Sequence, residues 1–190
     1  MQRFTRERPR RRMMDTIAQP VAPDGFDPVT GLATPEMFRK RAEVEWQRRA
    51  RAHGPMTVLR IDVDRFDIYR TQQGIEAANL RLRQVAEVIA RNCRRRGDFA
   101  GRVGENEFAV LLSEAAPKGA EKVARQIVEE VAQLGQGNGG ALPAVSIGIA
   151  SAIPRPNRFL ASLLQLAEQG VEQAAHSGGN QVISQREESR

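Results

Sequence analysis

The chain is poor in the residues that most directly carry chemistry. It has one cysteine, Cys93, and only two histidines, His53 and His176, far apart along the sequence. An internal disulfide is therefore excluded, and the clustered Cys and His ligands of a zinc centre are missing. Cys93 falls near the end of an apolar helical stretch and reads as a small core residue. No apolar run approaches the length of a membrane span, and the N-terminus lacks the apolar stretch of a secretory signal. A cytoplasmic protein without membrane insertion is the expectation.

What is present is enough for one core. A chain of 190 residues with 41% hydrophobic residues can bury one respectable interior and does not promise a second. The net charge of +6 is concentrated at one end: MQRFTRERPRRR holds six arginines against one glutamate, which is +5 of the total. Such an arm, with neither amphipathic spacing nor a series of aromatics, reads as a solvated tail or linker rather than a reader of nucleic acid. Residues 1–24 are expected to be a basic flexible arm, 25–184 the domain, and 185–190 a polar tail.

Periodicity supplies the elements. Met37, Phe38, Ala42, Val44 and Trp46 have helical spacing within 34–52, entered at Thr34-Pro35 and left before Gly54-Pro55. TVLRIDVD, 57–64, reads as a strand. A helix is expected over 76–92, hairpin arms over 99–103 and 107–112, a helix over 120–134, a loop over 135–140, a strand in LPAVSIGIA, a helix over 159–176 and a short strand in NQVIS. Alternating strands and helices with one hairpin predict an α/β sandwich on a mixed sheet.

Two strand ends carry the candidate chemistry. In RIDVD, Asp62 and Asp64 point to one face of a strand, and the turn Gly104-Glu105-Asn106-Glu107 brings more acids to a neighbouring strand about 5 Å away. Paired carboxylates can hold a divalent cation that in turn binds phosphates, and they can equally cap a helix or pair with arginines.

Five segments in order resemble the GGDEF domain of bacterial diguanylate cyclases. FDPVTGLATPEMF is similar to that family's D-x-L-T-G-L opening, and VLRIDVDRFDIYRTQQGIEAANL to its D-x-D-x-F-K-x-x-N-D-x-x-G-H-x-x-G-D stretch. RVGENEFAVLL stands where R-x-G-G-D-E-F belongs, VSIGIA matches an S-x-G strand, and LLQLAEQGVEQAAHSGGNQV resembles the closing segment. The resemblance covers roughly 25–184 and implies a palm-like nucleotidyl-cyclase sandwich, with a central mixed five-stranded sheet flanked by helices and the signature on a β-hairpin.

The same resemblance implies an active site of which little is left. Asp62 fills one family metal-ligand position, but the other is Asn106, whose amide has no negative charge. Glu105 replaces the second glycine, where backbone should pass close to a nucleotide. The family's guanine-recognising asparagine and aspartate align with Arg70 and Asn79, the lysine after the phenylalanine with Asp67, and the triphosphate-binding lysine and arginine with Ala175 and Gly179. Catalysis that depends on positioning and neutralising phosphates does not survive such losses together. Asp62, Asp64, Gly104, Glu105, Asn106 and Glu107 are therefore expected to be the remnant of an active site, with no catalytic residue, no resident cofactor and no Mg²⁺. Asp62, Asp64 and Glu107 would then persist as caps or arginine partners, and Phe108 as a core residue.

A second family motif is intact. Arg95-Arg96-Gly97-Asp98 fits the R-x-x-D that in many relatives binds cyclic di-GMP five residues before the signature. An arginine fork suits guanine O6 and N7, and a carboxylate suits its N–H donors; the plainer reading is arginines solvating a helix C-terminus with Asp98 as ion partner. Arg125, with Lys122, is expected as an addition to the ligand cage. The function expected from these residues is an inactive GGDEF domain acting as a cyclic di-GMP receptor, passing occupancy to a second copy or a downstream signalling protein. A ligand-free interaction scaffold is the alternative, and a weak residual cyclase comes after both.

Overall fold

The computed structural model describes residues 23–135 and 144–185. The expected arm up to residue 22, most of the 135–140 loop, the first residues of LPAVSIGIA and the tail from residue 186 lie outside the described residues.

The elements follow the hydrophobic pattern. Helix α1, Pro35–Ala52, opens where Thr34 Oγ1 accepts from the Met37 amide at 3.4 Å and Pro35 takes the first turn, and it closes at His53 in the left-handed region. Strand β1, Met56–Val63, leads into α2, Phe66–Asn92, followed by β2, Phe99–Arg102, and β3, Glu107–Ser113. Helix α3, Pro117–Gln133, β4, Val145–Ala152, α4, Leu160–His176, and β5, Val182–Gln185, complete the order. Helix α2 begins ten residues before the expected helix at Glu76. Its first part is the polar DIYRTQQ, which has no apolar stripe, and it is separated from the second by Gly74 at φ 84° and ψ 169°.

The sheet order is β2-β3-β1-β4-β5, antiparallel except for the parallel β4–β5 pair. The mixed five-stranded sheet flanked by helices is thus present. Leu59, Ile61 and Val63 of β1 join Phe108, Val110 and Leu112 of β3 under α2 and α3. Met56, Val58, Ala109 and Leu111 face the opposite way, against Phe38, Trp46 and Leu163 of α1 and α4. The period of two then puts Arg60 and Asp62 of β1, with Glu107 of β3, on the α1/α4 side, where the apolar layer gives way to charge.

Helix α4 lies directly on the sheet at Gly148, where a Cβ would come within 2.0 Å of the Ala167 carbonyl. That approach explains the glycine of VSIGIA. Cys93, just past α2, has its thiol pushed up to about 12, first by burial and then by Asp98, so it stays protonated and unreactive in the folded protein.

Candidate functional site

The signature turn is built between two strands and clamped from outside. The Val103 amide donates to the Glu107 carbonyl at 2.9 Å, and the Val63 amide to the Asn106 carbonyl at 3.1 Å, fastening the turn to the end of β1. Arg102, which sequence reasoning did not single out, grips the Glu105 carbonyl through NH2 at 2.6 Å and reaches Asp27 at 3.1 Å. Asp27 in turn accepts from the Thr30 amide and hydroxyl at 2.8 and 2.7 Å. The opening DPVTG segment and the hairpin are therefore one assembly.

At this assembly Asp62 and Glu107 are direct cross-strand partners. Asn106 Nδ2 donates both to Asp62 Oδ1 and, at 3.2 Å, to the Val63 carbonyl. Burial, followed by the nearby charges of Asp64, Glu107 and Glu168, pushes the Asp62 carboxyl up to about 6. Glu107 accepts from Arg60 at 2.7 Å, and the same guanidinium also holds Glu168 of α4. Arg60 too was missed by the motif comparison, although its even position on β1 puts it on the Asp62 face. Asp64 is turned away from the hairpin: it accepts from Ser146 Oγ at 2.7 Å and from the Asn180 amide at 2.8 Å. Among the described residues it caps no helix and meets no arginine. Gly179 is needed beside it, since a Cβ there would lie 3.0 Å from the Asp64 carboxylate on a backbone at φ 75°.

The departures near the turn also meet one another. Arg70 on α2 contacts Glu105 of the turn through NH1 and Asp67 through NH2 at 3.1 Å. Among the described residues no group of three or more His, Cys, Asp and Glu is arranged to hold a metal ion.

The Arg95–Asp98 motif lies at the other end of β3. Glu107 and Ser113 bound that strand, so the two sites stand about 20 Å apart at roughly 3.4 Å per residue. Asp98 Oδ2 accepts from the Arg95 amide at 2.9 Å and Oδ1 from the Ser113 amide at 3.0 Å, closing a turn between α2 and β2. Burial raises the Asp98 carboxyl, and those backbone donors oppose the rise. The Arg95 guanidinium is exposed and makes no hydrogen bond or ion pair among the described residues. Beside the turn, Arg96 joins Lys40, Arg41 and Arg48 of α1 in lining a groove of about 340 Å³, with Glu45 as its one carboxylate. Arg41 also lies 4.6 Å over the Phe99 ring. Arg125 and Lys122 do not line this groove. They lie on α3, which packs against α2, in a separate surface groove of about 660 Å³ shared with Glu121 and Glu129.

With this geometry in view, similarity to known proteins is informative. A protein-family model described as "Diguanylate cyclase, GGDEF domain" matches residues 25–181. Diguanylate cyclase DosC of Escherichia coli is 28% identical over 160 residues, 83% of this chain and 34% of that protein. Diguanylate cyclase DgcP of Pseudomonas aeruginosa is 31% identical over 105 residues, 55% of this chain and 15% of that protein. The chain thus spans about a third of the length of the first relative and about a seventh of the second. Among solved structures, the GGDEF domain of DgcB from Caulobacter crescentus in complex with c-di-GMP superposes with a TM-score of 0.77 at 22% identity, covering 84% of this chain and 92% of that one. The GGDEF domain of FimX from Pseudomonas aeruginosa gives 0.75 at 23%, covering 86% of this chain and 100% of that one. These likenesses establish the fold.

Proposed function

The chain belongs to the GGDEF domain family of diguanylate cyclases, and from that premise we propose that it is a catalytically inactive member that binds cyclic di-GMP at Arg95 and Asp98. The observation that carries the reading is the contrast between the two ends of β3: one set of groups is satisfied within the chain, and the other presents an exposed arginine beside four further cations.

At the signature end, the residues present do not fit the divalent cation that the family's chemistry uses. A cation there would need oxygens from Asp62 and Asn106, and the Asn106 N–H₂ group already donates to Asp62 and to the Val63 carbonyl. An amide in that orientation turns its hydrogens, not its oxygen, toward the would-be ion.

At the other end, the chemistry suits an anionic dinucleotide. The exposed Arg95 fork can face a guanine edge while Lys40, Arg41, Arg48 and Arg96 offset phosphate charge. Asp98 spends one lone pair of each oxygen on backbone donors and keeps others for a base N–H.

The test is calorimetric titration of the whole chain with cyclic di-GMP. Wild type is expected to bind in the micromolar range or tighter, Arg95→Ala to bind at least tenfold more weakly, and Arg96→Ala to weaken binding and flatten its salt dependence. Arg95→Ala is the cleaner probe, because Asp98→Ala would also release the turn. Absence of heat at saturating ligand would sink the receptor reading and leave a protein-interaction scaffold.

A further inference from the structure

The sequence comparison counts Arg70 and Glu105 as separate losses, yet the two side chains, thirty-five positions apart, are paired in space. We propose that Arg70 and Glu105 form a built-in latch that fastens the signature turn to α2, so that this end of the domain is held closed by the chain's own charges. The proposal deepens the reading of the signature end as inactive and rests on it.

The first part of α2 is thinly held, with Tyr69 half-buried near Arg81 of the second part. Of Phe66 to Gln73 only Phe66 is buried, and the segment is joined to the rest of the helix through Gly74 in a backbone region that glycine alone adopts readily. Arg70 adds a tie to the turn by bridging Asp67 on its own helix and Glu105. On the other side of the same turn, Asn106 donates to Asp62 and to the Val63 carbonyl. Arg70 thus brings a positive charge to Glu105, and Asn106 brings N–H donors to Asp62 and the Val63 carbonyl. The carboxylate of Glu105, which alone would repel an anion, is neutralised where it stands.

Segments with few buried contacts open locally before the molecule unfolds, and their amides report that opening. Cutting the latch is therefore expected to loosen 69–73 of α2 together with the amides of Val63, Val103 and Gly104. The experiment is amide hydrogen exchange by NMR on the whole chain, comparing wild type, Arg70→Gln, Glu105→Gln and the double variant. Both side chains are partly exposed, at 36% and 55%, so the folded state tolerates the changes. Each single variant is expected to exchange about fivefold faster at these amides, the scale of a well-placed exposed ion pair, and the double variant no faster than either. Exchange around Arg95 and Asp98 should not change. Additive acceleration in the double variant, or no acceleration in the singles, would overturn the latch. Failure of the dinucleotide titration would sink the receptor reading and leave this result untouched.

Discussion

Asp62 is the residue whose environment says most about the present state of the signature end. Its carboxyl sits near Asp64, Glu107 and Glu168 and is raised from 3.8 to about 6. A carboxyl with a higher pKa folded than unfolded binds its proton more tightly in the folded state, so stability falls as pH rises through that window. Asp62→Asn removes the charge and keeps an oxygen that can accept from Asn106. The variant is expected to melt above wild type at pH 7–8, with the advantage shrinking as pH falls below about 6 and disappearing near pH 4; thermal melts across that range, repeated with Mg²⁺, check it. Added Mg²⁺ should leave the difference unchanged. That Asn106 brings an amide and Glu105 a carboxylate to the turn was legible from residue identity, because the chemistry of those groups is known without coordinates. What those residues do instead was not legible: the contact of Arg70 with Glu105 and the role of Arg60 between Glu107 and Glu168 depend on how distant segments are packed.

At the scale of elements, the long apolar stretches declared themselves and the polar ones did not. Helix α1 begins at the expected Thr34-Pro35 cap, and β3 covers the expected hairpin arm, because burial leaves a period that can be read. The first part of α2 has one buried residue, so no stripe exists to be found, and the expected helix starts only at Glu76, beyond the Gly74 break. The glycine at the break makes a clean test of conformational strain. Nothing lies within 4 Å of a Cβ built there, so Gly74→Ala meets no steric obstacle, but φ 84° with ψ 169° is hostile to any side chain. The substitution is expected to cost roughly 1–3 kcal/mol in denaturant melts. A neutral result would mean that the two parts of α2 join as a continuous helix in solution.

Over the whole molecule, local pattern says which segments are strands but not which are neighbours: the motifs in family order implied a mixed five-stranded sheet, and the order β2-β3-β1-β4-β5 came only with the structure. The resulting arrangement separates two sites along β3. One end has its signature turn tied to β1, α2 and the Asp27 segment, and the other leaves Arg95 facing solvent beside the cations of α1. Only the second end is expected to respond to a nucleotide ligand. Hydrogen-exchange mass spectrometry of the whole chain, alone, with cyclic di-GMP and with GTP plus Mg²⁺, tests that directly. Cyclic di-GMP is expected to protect 93–99 and 40–48, and GTP with Mg²⁺ to leave 62–64 and 103–107 at the exchange of the free protein. Protection of the signature turn by GTP and Mg²⁺, with none around Arg95 from cyclic di-GMP, would contradict the account.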